Sequence, residues 1–276
     1  MIRVTRLSIA PVRSLGLVHP PSIELDEAGV AEDRRFFLID DDDRLVDRIT
    51  AGTLVQVGAW TDPAATRLRL TFPDGTTIDD EVRLGEPIQA IVHTRVAIGH
   101  LVVGPWAAAI EPFAGRRVRI VRCDRPGGTR FRDGRVRNAI SLVSDGSLRR
   151  LALEVGRHDL DSRRFRMLIE VDGAAEHEED GWIGGRIAIG SAELAITKAD
   201  ARCAITTQDP DTGDRDIDTL RTIIGYRGIT ADRKVLFGVL GEVAHPGRVS
   251  VGDEVRVVDL ADTAERHRLA GVSGSL

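Results

Sequence analysis

One of only two cysteines, Cys203, sits in Arg202-Cys203-Ala204-Ile205-Thr206-Thr207-Gln208-Asp209-Pro210-Asp211-Thr212-Gly213, shortly after a strand-like apolar run at 192–197. A thiolate is a soft metal ligand, and a turn rich in hydroxyls and backbone N–H groups beside it suits a metal or a phosphate-bearing cofactor. A cysteine in a β-rich chain is ordinarily a small buried hydrophobe. Hydroxyls, Asp209 and Asp211 are poor neighbours for such an inert thiol. Cys123, in Val121-Arg122-Cys123-Asp124, has no comparable setting and reads as structural.

Other chemistries find no footing. The seven histidines are scattered without zinc-ligand spacing. There is no Gly-x-Ser-x-Gly elbow, no Gly-x-Gly-x-x-Gly fingerprint and no phosphate loop ending in Gly-Lys-Ser/Thr. Two cysteines cannot ligate a four-cysteine iron–sulfur cluster. Any redox chemistry at Cys203 therefore needs electrons from a separate protein.

The elements that must position Cys203 are mostly strands. Short alternating or β-branched runs at 2–9, 35–40, 68–72, 118–121, 139–143, 166–171, 186–189, 192–197 and 254–258 are punctuated by Gly, Pro and Asp turns. Helical periods are few. Leu148, Leu151, Leu153 and Val155 suit a helix capped within Ser144-Asp145-Gly146-Ser147. Leu220, Ile223 and Ile224 suit another capped at Asp218 or Thr219, and 105–115 suits a third ending at Gly115. The expected fold class is mainly β with a few helices, β-barrel-rich and of α+β type. Gly115 is a plausible boundary between an N-terminal β-barrel domain (1–115) and a domain holding Cys203 (116–262), with 263–276 as a flexible tail.

Composition points to an ordinary globular chain: 42% hydrophobic, 29% charged, with 38 basic and 43 acidic residues interleaved. A net charge of -5 leaves no electrostatic footprint for nucleic acid. No apolar stretch approaches the roughly 20 residues that span a bilayer, and no signal peptide opens the chain, so no membrane partner and a cytoplasmic location are expected.

The Cys203 stretch resembles the MOSC domain proteins, among them the amidoxime-reducing components and their bacterial relatives, and the resemblance runs from the first strand to residue 258. Ala10-Pro11-Val12-Arg13-Ser14 is similar to the family's segment ending in Lys-Ser, with Arg13 keeping the charge but not the lysine geometry. Asp33-Arg34-Arg35-Phe36 is similar to its Asp-Arg-x-aromatic strand. Arg163-Arg164-Phe165-Arg166 matches its basic-aromatic-basic motif, although Met167-Leu168 replaces the usual Pro-Asn. Glu179-Asp180-Gly181-Trp182 keeps its acidic pair and tryptophan. Ser144 stands at a strand-to-helix junction that suits either a phosphate or plain capping.

The resemblance implies a molybdenum cofactor (molybdopterin) with Cys203 as metal ligand. It implies Arg13, Ser14, Arg34, Ser144, Arg164, Arg166 and Thr206 as cofactor contacts, and Asp209 and Asp211 as residues that shape the loop or support proton delivery. The implied activity is that of an oxidoreductase reducing small N-hydroxylated compounds, hydroxylamines or amidoximes, with an external electron-transfer protein of ferredoxin or flavoprotein type as partner. Two other readings share the fold: a sulfur carrier holding a persulfide on Cys203, and a non-catalytic cofactor-binding module.

Overall fold

A computed structural model describes residues 1–126, 131–132, 135–158 and 160–260. The tail expected at 263–276 lies outside the described residues. Seven strands close a barrel in the order Ile2–Leu7, Ile169–Asp172, Ile140–Ser144, Val235–His245, Ala192–Arg202, Arg186–Ile189 and Glu254–Asp259. Ile140–Ser144 and Ile169–Asp172 run parallel, and the other pairs are antiparallel. Inward-facing Leu142, Ile169, Val171, Leu194, Ile196 and Val239 fill it, each buried at 1% exposure or less. Trp182 is buried in the same core, which gives the acidic-pair tryptophan a structural role.

Eight further strands form a five-stranded sheet in the order Leu45–Val46, Phe36–Ile39, Arg119–Cys123, Arg95–Val103, Arg83–Val92, and a three-stranded sheet of Gly58–Thr61, Arg67–Thr71 and Thr77–Glu81. Both sheets and helix α1 (Trp106–Ala114) enclose one core, with Phe36, Leu68, Leu70 and Trp106 at its centre. The indole N–H of Trp106 donates to Leu68 O at 3.0 Å, so its polar atom is satisfied on burial. Helix α1 ends at Gly115 in the left-handed region, the C-cap that its sequence predicts. Helices α2 (Asp145–Val155) and α3 (Thr219–Arg227) start at side-chain caps on Ser144 and Asp218 and cover a further core around Phe165, Met167, Ile223 and Phe237. Leu148 and Leu151 of α2 reach that core, whereas Leu153, two residues on and so on the opposite side of the helix, is exposed.

Sheet membership does not follow the cut expected at Gly115. The first strand pairs with Ile169–Asp172 and Glu254–Asp259 in the closed barrel, and Arg119–Cys123 pairs with Phe36–Ile39 in the five-stranded sheet. The chain crosses between the two halves twice. Among the described residues no helix is long and apolar enough to cross a membrane.

The halves are pressed together beside the cysteine loop. A Cβ on Gly213, which has φ +83°, would come within 2.1 Å of Gly52 O, and one on Gly52 within 2.3 Å of Gly213 O. Only glycine tolerates this contact on both sides. Gly213→Ala is expected to destabilise the protein by about 1–3 kcal/mol through strain and overpacking. Gly225→Ala, within α3 with open space around its Cβ, should be neutral or stabilising. Equal urea midpoints for Gly213→Ala and the parent would refute the contact.

Candidate functional site

The strand Ala192–Arg202 delivers the cysteine. Its pairing with Val235–His245 shifts register three times, the last between Ala199 and Ala201. Such bulges bend a strand and redirect the residues beyond them. Cys203 then caps a 3₁₀ turn, Ala204–Thr207, and is exposed, whereas Cys123 is buried. Thr206 N and Oγ1 both donate to Cys203 O at 3.1 Å, and Thr206 Oγ1 accepts from Thr219 Oγ1 at 2.9 Å. The Thr206 hydroxyl is thus used within the loop.

Arg164 braces this loop from below. Its motif folds as a 3₁₀ turn, Ser162–Phe165, capped by Asp161 and closed by Arg166 in the left-handed region. The Arg164 guanidinium, 2% exposed, donates to Thr206 O (3.2 Å), Gln208 O (3.3 Å), Asp161 O (3.1 Å) and both oxygens of Asp216 (3.1 Å each). Phe165 stacks on Phe237 with centroids 4.8 Å apart, and the Arg202 guanidinium lies 5.3 Å from the Phe165 centroid. Arg202 also donates to Phe165 O and pairs with Asp200.

From the other half come two segments tied edge to edge. Arg34 N donates to Ala10 O at 2.7 Å, Arg13 N to Phe36 O at 2.7 Å, and Asp33 Oδ1 accepts from Ala10 N at 2.8 Å. These bonds set Arg13, Ser14 and Arg34 opposite Cys203. All three line one cavity of about 670 Å³ together with Cys203, Arg164, Arg166 and Thr206. Seven of the residues singled out in the sequence therefore meet in one place.

Three do not line it. Ser144 is fully buried, its Oγ accepting from Ser147 N at 3.1 Å and donating to Glu179 at 2.7 Å, so capping is the role its contacts describe. Asp209 Oδ1 accepts from Asp211 N (2.9 Å) and Thr212 N (2.8 Å), a turn-forming use of the carboxylate. Asp211 holds Arg163 by two bonds of 2.8 Å. Met167 and Leu168 are both buried in apolar cores, so the pair that replaces Pro-Asn presents no group to the cavity.

The cavity also contains arginines that the sequence does not distinguish: Arg48, Arg95, Arg137 and Arg202. Among many arginines scattered along the chain, Arg48, Arg95 and Arg137 carry no local motif, and Arg202 opens the cysteine stretch without being singled out within it. With Arg13, Arg34, Arg164 and Arg166 they share the cavity lining with two carboxylates, Asp47 and Asp200, while Asp33 and Asp216 pair with Arg34 and Arg164. Burial, and then the neighbouring Arg34, lower Arg13 below the ordinary arginine range. Arg166 is lowered well below it by burial and then by Arg48 and Arg34, and Arg48 is brought down to about 10 by burial. Crowded guanidinium groups in a low-dielectric cleft call for an anionic ligand.

Backbone strain gathers here too. Nine described non-glycine residues have positive φ, and five of them line this cavity: Ser14 (76°), Arg34 (52°), His93 (56°), Asn138 (54°) and Arg166 (53°). Each such conformation costs roughly 1–3 kcal/mol, and such strain clusters where a ligand must be gripped. His93, at the tip of the hairpin joining Arg83–Val92 to Arg95–Val103, accepts a bond from Arg13 Nη2 at its Nε2, 2.9 Å away. Among the described residues no three His, Cys, Asp or Glu come together to hold a metal ion. A metal here would have Cys203 as its protein ligand and bring its other ligands with it.

Residues 129–256 match the MOSC domain. Over 127 residues the chain is 34% identical to mitochondrial amidoxime-reducing component 1 of Mus musculus, covering 41% of this chain and 37% of that protein. It is likewise 34% identical over 124 residues to mitochondrial amidoxime reducing component 2 of Bos taurus, covering 42% of this chain and 36% of that protein. The match spans little more than a third of those relatives' length. The solved YuaD protein of Bacillus subtilis aligns with 93% of this chain and 96% of its own at 15% identity, with a TM-score of 0.46.

Burial pushes the Cys123 thiol up to about 12, so it stays protonated at pH 8, and its sulfur is enclosed. Iodoacetamide at pH 8 should modify native protein at Cys203 alone, and at both cysteines after unfolding. Peptide mapping that finds Cys123 labelled as fast as Cys203 in the native state would contradict this geometry.

Proposed function

Because the chain carries a MOSC domain, we propose that it is a molybdenum-cofactor-dependent oxidoreductase that reduces N-hydroxylated compounds, hydroxylamines or amidoximes, with electrons from an external electron-transfer protein of ferredoxin or flavoprotein type. The observation that carries this reading is the exposed Cys203 opening into a cavity lined by eight arginines and two aspartates. The residues fit an anionic cofactor that brings its own metal ligands. Buried N–H groups of Arg48 and Arg166 have no hydrogen-bond partner within the described protein, and only one thiol faces the cavity. When bound, the molybdenum cofactor would supply the two-electron redox chemistry.

The chain's own part is to hold and orient. Cys203 would hold the metal through its sulfur, the one thiol that lines the cavity. Arg13, Ser14, Arg34 and Arg166 grip the cofactor, and Arg164 acts one step removed by fixing the loop that presents Cys203. Thr206 ties the same loop through its hydroxyl. Asp209 and Asp211 shape the following turn, which makes proton delivery by either a lesser role than loop support.

Metal analysis of purified protein, with a persulfide assay beside it, tests the reading. Stoichiometric molybdenum is expected; a persulfide on Cys203 without molybdenum would replace this reading with sulfur carriage, and neither would leave a binding module. Cys203→Ala should abolish reduction and lower molybdenum content with the fold intact, while Cys123→Ala leaves turnover nearly unchanged. Equal damage from both would sink the assignment. A guanidinium binds phosphate as a fork and an ammonium as a point charge, so Arg34→Lys and Arg166→Lys should lower cofactor occupancy. Full occupancy in both variants would remove them from the grip.

The described residues and the sequence hold no nicotinamide fingerprint. Turnover of an N-hydroxylated substrate is therefore expected with reduced viologen or an added redox partner, and none with NADH or NADPH alone. Sustained turnover on a nicotinamide nucleotide alone would overturn the external-donor mechanism.

A further inference from the structure

Arg48 and Arg166 line two cavities, the one at Cys203 and a second of about 390 Å³ on their other side. The second lies between Gly16, Gln56 and Gly58 on one wall and the turn Pro210, Asp211 and Thr212 on the other. The charged and titratable groups lining it are Arg48, Arg163, Arg166, Asp211 and His19. Arg163 is already neutralised by Asp161 and Asp211. His19 is held below its ordinary range, by burial first. That leaves Arg48 and Arg166 as the uncompensated charges of the partition.

Neither is satisfied by the protein. Arg48 is fully buried, yet its one bond is a long 3.4 Å contact from Nη2 to Asp209 O; its Nε and Nη1 have no partner. Arg166 Nη2 donates to Leu15 O at 2.8 Å, and its buried Nη1 has no partner. The carboxylate of Asp209, the main opposing charge on Arg48, is turned to its own loop N–H groups. Buried donors without acceptors, and buried charges without counter-charges, are strongly disfavoured. The group that completes this pair is negative, compact and rich in acceptor oxygens, able to meet two guanidinium forks at once.

We propose that the Arg48–Arg166 partition is an oxyanion site opening into the second cavity, and that it takes the phosphate group of a small molecule. The assignment shares Arg48 and Arg166 with the cavity of the proposed cofactor but differs from that reading in its ligand and in the cavity the ligand enters from. The ligand is a free phosphate or small phosphate monoester entering from the second cavity, distinct from the phosphate of a cofactor seated at Cys203.

The test is titration of cofactor-free protein with inorganic phosphate at constant ionic strength, chloride serving as control. Binding is followed by calorimetry and by the ring signals of His19, which lines the second cavity, and His93, which lines the first. Saturable binding that shifts His19 is expected. Arg48→Met should weaken it about tenfold or more, the scale of lost charge-assisted hydrogen bonds, while Arg186→Ala, an exposed arginine elsewhere, leaves it unchanged. In cofactor-loaded protein the binding should be retained; its loss would assign the pair to the cofactor's own phosphate and overturn the proposal. No saturable binding to cofactor-free parent protein overturns the proposal, as does binding that moves His93 and leaves His19 unmoved. The parent protein decides the matter even where Arg48→Met fails to fold. A chain that loads no molybdenum would count against the redox reading and leave this titration to judge the oxyanion site.

Discussion

The guanidinium of Arg164 is the interaction on which the site depends. It is nearly inaccessible to water, and its donors meet two carbonyls of the cysteine loop, a carbonyl of its own turn and a carboxylate beyond the loop. Breaking a buried charge pair by removing one partner costs about 3–5 kcal/mol. The loop after Cys203 has little apolar surface of its own to bury, so it takes its shape from this brace, from the Thr206–Thr219 hydroxyl bond and from the glycine contact at Gly52 and Gly213. A flexible thiol is thereby made a fixed one.

Around that fixed thiol the fold concentrates like charge. Arginines converge from segments that belong to different sheets, and the cost of bringing them together is tolerable only because several are individually paired. Arg34 has Asp33, Arg164 has Asp216 and Arg202 has Asp200. The left-handed residues at the same place have the same logic in the backbone: Ser14, Arg34 and Arg166 turn the chain sharply enough for side chains from consecutive residues to reach one cavity. Crowded positive charge and left-handed backbone thus coincide at one cavity.

Much of this was legible from residue order. The cysteine loop, the basic-aromatic-basic turn and the two N-terminal basic segments announced themselves by local composition, and the structure gathers them in one cavity. The caps of α2 and α3 follow from Ser144 and Asp218 for reasons internal to each helix. Three long strands were not read. Val235–His245 is apolar without clean alternation and broken by Gly238 and Gly241, whose missing side chains admit Met167 with Leu142 O, and Ala195 O. The long hairpin around His93 has Pro87 within it and turns without an Asn-Gly or Asp-Gly pair. Arg48 was hidden for a different reason: its importance lies in burial and in missing partners, which are properties of three-dimensional position and leave no trace in neighbouring residues.

The first strand has a consequence for how this protein can be divided. Ile2–Leu7 is the stave between Ile169–Asp172 and Glu254–Asp259. Excising the 129–256 segment as a module would remove that stave, unzip the barrel and leave raw strand edges, the kind of surface that recruits foreign strands. It would also take away Arg13, Arg34 and Arg48, and with them one wall of the cavity. The stretch recognisable as a unit of descent is therefore not a unit of folding: the thread that begins the chain is sewn into the part that ends it, and the two are inherited as one garment.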